Sequence, residues 1–373
     1  MNQVRVVIFI QVLNSFVSGI LTVALPLMMK ERNIDIVTIG FIFASMPIIF
    51  QLGRMFFATV SDFWGRKLFF VLNGFLGIIS SSIYYLAHTP LEFLFGKVTE
   101  GTKNGSLWAV NRAFLLEKSE KKWSTLVHLR TVIYISTAVG SLLAGFLMVW
   151  LLYEGTLMLC VLVGAFVVPL SLLLFSGRKE SLSLSKALHF LDFRKKKKVF
   201  KVFLILFFVM GLSYGFQSGF VFPLFLNKNG FDAETIGLFL SLQMLLAGLF
   251  SYLFAGRSEI RKLILGGGVL YTGILVLLGF SSSVFACILV ITYGIVDGLL
   301  SIGQEGILSR ITNKESYGID IGLLWMGFHI GETLSLAFSG LLISMWGFVA
   351  PFLMSASILP LFYVTSYLIL REQ

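Results

Sequence analysis

Four carboxylates stand in otherwise apolar stretches of the chain: Glu100, Asp297, Glu305 and Glu332. Lys97 and Lys103 lie in the same setting, and His329 precedes Glu332 by three residues. In a low-dielectric cavity these acids cannot all be ionised together, because desolvation and like-charge repulsion both disfavour the charged form. A site that takes up and releases a proton is the chemistry to expect, with Glu332 and His329 as the first candidate, Asp297 the second and Glu305 the third. Lys97 and Glu100, one helical turn apart, have two uses: a structural ion pair inside a helix bundle, or contact with a polar solute. Ionisable groups at membrane depth are costly and usually line an aqueous path.

The elements that must hold these groups are membrane spans. Hydrophobic residues make up 57% of the 373 and charged residues only 13%, against about 25% charged in soluble domains. A helix needs about 20 residues to cross the hydrocarbon core, which leaves room for twelve spans and short loops. Apolar length and polar breaks place them at 4–29, 36–60, 67–88, 91–116, 128–152, 155–176, 201–227, 233–256, 262–281, 284–310, 318–346 and 349–370. The first begins like a signal peptide but runs on through Pro26, so a retained span is expected. Residues 1–176 form an N-terminal six-helix bundle, 177–200 a basic linker and 201–373 a C-terminal six-helix bundle. The formal charge of +10 is one-sided. With the N-terminus inside, the outer loops keep only Lys30, Arg32 and Lys228, so the positive-inside rule puts both termini and the linker in the cytoplasm. Cys160 and Cys287 lie in apolar runs and read as packing residues.

The two halves repeat. Asp35-Ile-Val-Thr-Ile-Gly40 returns as Asp232-Ala-Glu-Thr-Ile-Gly237, an offset of 197 that also relates Pro26 to Pro223 and Glu100-Gly101 to Asp297-Gly298. Arg66-Lys67 returns as Arg261-Lys262. Parallel repeats of six spans follow. Helical spacing gathers polar residues on single faces: Gln11, Asn14, Ser15, Ser18 and Thr22 in span one; Lys97, Glu100, Asn104, Trp108 and Asn111 in span four. Tyr214, Gln217 and Ser218 share a face in span seven, and Tyr293, Asp297, Ser301 and Gln304 in span ten. Span five has Tyr134, Thr137 and Ser141, and span eleven has Trp325, His329 and Glu332.

At the turn between spans two and three stands Ala58-x-x-x-Asp62-Phe63-Trp64-Gly65-Arg66-Lys67. It resembles the G-x-x-x-D-[RK]-x-G-R-[RK] signature of the major facilitator superfamily, with Ala58 for the first glycine and Phe63 for the basic residue. Lys97, Gly101 and Gly105 resemble the family's R-x-x-x-G-x-x-x-G pattern in span four. The resemblance implies an all-α integral membrane fold of twelve transmembrane helices in two six-helix bundles. It further implies that Asp62, Gly65, Arg66 and Lys67 form a conformational latch. Spans one, four, seven and ten would line a central cavity, making Asn14, Ser18, Lys97, Glu100, Asn104, Trp108, Asn111, Tyr214, Gln217, Tyr293, Asp297 and Gln304 its candidate lining, to which Tyr134 of span five and Trp325 of span eleven are added. Gly140 and Gly145 are similar to remnants of the family's antiporter motif, without its proline.

The expected function is secondary active transport of a small solute by alternating access, coupled to protons, with efflux of amphiphilic or cationic compounds as one form. The alternatives are a nutrient uptake symporter, with sodium as another coupling ion, and a non-transporting sensor, assembly factor or lipid-handling protein on the same fold. No Walker A loop, zinc spacing or nucleophile elbow occurs, so no enzymatic activity, cofactor or metal is expected. The expected partners are a small-molecule substrate, the coupling ion and the lipid bilayer. A monomer in the plasma membrane is expected, without a nucleic-acid partner.

Overall fold

The computed structural model describes residues 3–118, 122–175, 196–254, 260–312 and 317–371, and every regular element among them is a helix. In lipid each backbone polar group must be satisfied within its own segment, so long apolar stretches can only be helical. The first half contains α1 (Gln3–Glu31), α2 (Ile36–Trp64), α3 (Arg66–Leu86), α4 (Pro90–Lys118) and α5 (Lys122–Leu172). The second contains α6 (Lys198–Gly215), α7 (Val221–Lys228), α8 (Ala233–Phe254), α9 (Ile260–Phe280), α10 (Ser283–Ile311), α11 (Tyr317–Trp346) and α12 (Val349–Arg371).

Twelve elements and twelve crossings coincide for different reasons. α5 is 51 residues long and reverses at Leu152, whose φ of 58° and ψ of −177° break the helical path; its two arms are spans five and six. Span seven, in contrast, is not the continuous helix expected over 201–227. It divides into α6 and α7 around Phe216–Phe220, where Gly219 has a φ of 63°. The cause is a close approach. A Cβ on Gly215 would lie 2.0 Å from the Ser335 hydroxyl and 2.6 Å from the Glu332 carbonyl, so α6 ends where its backbone presses on α11. Among the described residues ten helices are long and apolar enough to cross a membrane, the α5 stretch among them long enough to do so twice. α4 falls outside that set because Lys97, Glu100 and Lys103 interrupt its apolar content.

The repeat is visible at the helix starts. Asp35 caps α2 by accepting from the Thr38 amide at 2.9 Å, and Asp232 accepts from the Thr235 amide at 2.9 Å before α8. Both are N-caps that satisfy an otherwise orphaned first-turn donor. Within the first bundle α1 packs on α5, α2 on α4, and α3 on both α4 and α5; within the second α6 packs on α11 and α12, α8 on α10, and α9 on α10 and α12. The bundles meet along α2 with α11 and α5 with α8. Van der Waals fit drives such packing in lipid, where apolar burial between helices gains little. Gly40 against Gly340, and Gly237 against Ser141 and Gly145, bring the two halves into backbone contact.

Candidate functional site

Midway along α10, α11 and the first arm of α5, the two bundles bring ionisable groups together. Tyr134 of α5 donates to Asp297 Oδ2 of α10 at 3.3 Å. His329 Nδ1 and Glu332 Oε2, one turn apart on α11, are 2.9 Å apart. Tyr214, at the end of α6, is within electrostatic reach of both Asp297 and Glu332. Aromatic rings wall this region: Phe50 lies edge-on to His329 at 5.0 Å and to Trp108 at 6.2 Å, Trp325 stacks on His329 at 5.9 Å, and Phe328 packs on Tyr214 at 5.4 Å. Tyr134, Tyr214, Asp297, Trp325, His329 and Glu332 are all half-buried.

Towards the end that holds both termini, Glu305 of α10 joins two arginines of the other bundle. Its Oε1 accepts from Arg112 Nη2 at 2.9 Å and from Arg130 Nη1 at 3.1 Å. Gln51 of α2 donates to the Gly322 carbonyl of α11 at 3.0 Å nearby. At the opposite end Lys30 of α1 donates to Asn227 of α7 at 2.5 Å, and Phe43 packs on Phe220 at 5.6 Å. The halves therefore touch on both sides of this ionisable group.

The remaining candidate residues sit inside single bundles. Lys97 and Glu100 pair at 2.9 Å with side chains only 4% and 5% exposed. The same Glu100 oxygen accepts from Tyr84 of α3 at 2.6 Å, and Lys97 lies 4.4 Å over the Phe43 ring. Asn111 donates to Gln11 of α1, and Asn14 to its own helix at Ile10. Gln217 donates to Tyr271 of α9, which in turn meets Tyr293 hydroxyl to hydroxyl. Gln304 contacts the Met210 sulfur at 3.4 Å. Ser18 and Asn104 are half-buried.

The sequence profile of the Major Facilitator Superfamily matches residues 7–257 and 202–373. The chain belongs to the Major Facilitator Superfamily. Solved members show the same fold over nearly the whole chain. The nucleoside transporter NupG aligns with a TM-score of 0.77 at 16% identity, covering 100% of each chain. A single-site variant of NupG aligns at 0.81, covering 99% of each. The human organic anion transporter MFSD10 (TETRAN) aligns at 0.73 and 14% identity, covering 97% of this chain and 98% of the other. No curated protein matches the sequence significantly.

Of the superfamily's loop motif, Gly65 ends α2 with a φ of 84°, a left-handed conformation that favours glycine. Arg66 is buried at the start of α3 and Lys67 is partly exposed. The Asp62 side chain lies outside the described residues. Spacing alone did not reveal Arg54, Arg112 and Arg130, Tyr84, or the Gln51 contact. One signal for the arginines was present: a lone carboxylate, Glu305, stands near a membrane edge otherwise rich in cations, and a partly buried carboxylate there must find a cation.

Proposed function

We propose that the chain is a secondary active transporter that moves a small amphiphilic or cationic solute between its two bundles by alternating access, coupled to protons. The observation that supports this reading best is the half-buried group of Tyr134, Tyr214, Asp297, His329 and Glu332, drawn from both bundles at mid-depth and walled by aromatic rings. Aromatic faces attract cations and apolar rings alike, and the carboxylates add charge complementarity. The solved neighbours' names, nucleoside and organic anion transporters, point to different solutes, so the substrate class rests on this chain's own residues. Motion follows from the same geometry. Parting Glu305 from Arg112 and Arg130 would open the termini end, and parting Lys30 from Asn227 would open the other. Glu332 and His329 are the leading proton site, with Asp297 next and Glu305 third. The two bundles divide at the basic linker 177–200, and Asp62, Gly65, Arg66 and Lys67 act as a latch between access states.

Flux in proteoliposomes with and without a pH gradient tests the reading. Lipophilic cations should move, the gradient should drive them, and Glu332→Gln should abolish gradient-driven flux while sparing part of the exchange at equal pH. Flux that ignores the pH gradient and requires sodium would reassign these acids as cation ligands. Absence of flux for any solute would favour the non-transporting alternative.

A further inference from the structure

Two arginines of the first bundle meet a single carboxylate of the second, and a third arginine stands near them. Arg112 and Arg130 both donate to Glu305 Oε1, and Arg54 of α2 is within electrostatic reach of Arg112 and Glu305. Among the described residues Glu305 makes the salt bridges to Arg112 and Arg130, and the Asp297 carboxylate also acts on Arg130. Guanidiniums stay protonated at any working pH, so three positive charges face two negative ones and one cation is left in excess. The hydrogen bonding is incomplete as well: Arg112 Nε is buried without a partner. Arg112 is further fixed by Trp108, whose ring centre lies 5.7 Å from its guanidinium carbon. The three positions belong to α2, α4 and α5 of the first bundle, and α4 approaches α2 so closely that a Cβ on Gly105 would meet the Arg54 amide nitrogen at 2.9 Å. Arg54 and Arg112 are therefore held side by side by backbone packing that does not involve α10.

We propose that Arg54, Arg112 and Arg130 form an anion site that Glu305 occupies in this conformation, and that a phosphate group on the termini side takes its place when the bundles part. This rests on the alternating-access reading for the moment at which the site empties, but not for its chemistry. A carboxylate offers one charge and two oxygens, of which only one is used here. A phosphate dianion offers up to two charges and three oxygens, matching planar guanidinium forks on three helices. Such a ligand would hold the termini end open and delay its closure. The same chemistry is found in free phosphate and in the headgroup of an anionic lipid.

Glu305→Ala vacates the site without requiring the bundles to move, so it separates failure of the site from failure of alternating access. The variant is purified into nanodiscs of neutral lipid, and thermal unfolding is followed with inorganic phosphate against chloride at constant ionic strength. Phosphate at tenfold its Kd should raise Tm by about 2 °C, the parent protein should respond less, and adding Arg112→Gln or Arg130→Gln should remove the response. If Glu305→Ala does not fold, Glu305→Gln keeps the shape, removes the charge and serves for the same measurement. A response to phosphatidic acid in the nanodisc, with none to free phosphate, would assign the site to lipid headgroups. No response to either, or one that survives loss of both arginines, would overturn the proposal.

Discussion

Lys97, Glu100 and Tyr84 form a buried set in which each member satisfies another: the ammonium and the phenol both donate to one carboxylate oxygen. Removing one charge from such a pair leaves the other uncompensated, which costs about 3 kcal/mol, whereas removing both costs much less. Lys97→Ala and Glu100→Ala should each lower thermal stability in detergent sharply, and the double variant should be more stable than the sum of the two losses implies. Strictly additive losses would show that the two groups act separately. Tyr84→Phe should cost about 2 kcal/mol, the range for a hydrogen bond to a charged acceptor, because Phe keeps the ring and removes only the hydroxyl. At this scale spacing placed Lys97 and Glu100 on one helical face and left open whether they pair or meet a solute; the structure pairs them. Spacing said nothing of Tyr84, which reaches them from a neighbouring helix.

Helix starts and helix contacts set the element scale. Hydrogen bonds from the Thr38 hydroxyl and amide hold the Asp35 carboxyl below the usual carboxylate range, and the Thr235 hydroxyl and amide do the same for Asp232. A depressed carboxyl contributes stability that is fully present above its unfolded pKa and is lost as pH falls through the lowered folded value, here below about pH 4. Asp35→Ala should cost about 1 kcal/mol at pH 7. That difference from the parent should shrink as the pH is taken below 4, and a difference independent of pH would rule out the carboxylate cap. Gly140 makes a different kind of contact: a Cβ there would stand 2.0 Å from the Phe16 carbonyl of α1. Gly140→Ala should destabilise the first bundle by about 2 kcal/mol, as overpacking does, and an unchanged Tm would show that α1 can shift freely. The repeated Asp-x-x-Thr-x-Gly was legible as a repeat along the chain; that each copy caps a helix is what the structure adds. The break between α6 and α7 was not legible, because its cause is the backbone of α11.

For the whole molecule, the proposed alternating access makes the contacts between bundles its gates. Gln51 meets Gly322 near the termini end and Lys30 meets Asn227 at the other. Replacing both members of either pair with cysteine and joining them with a bifunctional thiol reagent that a reductant cleaves should block substrate flux, and reduction should restore it; the native Cys160 and Cys287 are buried and free. Undiminished flux with either end cross-linked would contradict alternating access between these bundles.

The sequence by itself determined that this is a twelve-span helical membrane protein built from two repeats, and its loop motif indicated the superfamily. Those features follow from local requirements: a span needs a sufficient apolar length, and a repeat needs only self-similarity along the chain. Tertiary structure alone decided which polar groups meet. Glu305 finds Arg112 and Arg130, Tyr134 finds Asp297, and Gln217 finds Tyr271. In lipid an apolar helix face is equally satisfied by hydrocarbon or by another helix, so periodicity does not specify a helix's rotation or its neighbours. Small residues at close approaches, such as Gly40 against Gly340, settle both, and the long polar side chains pair where that packing brings them.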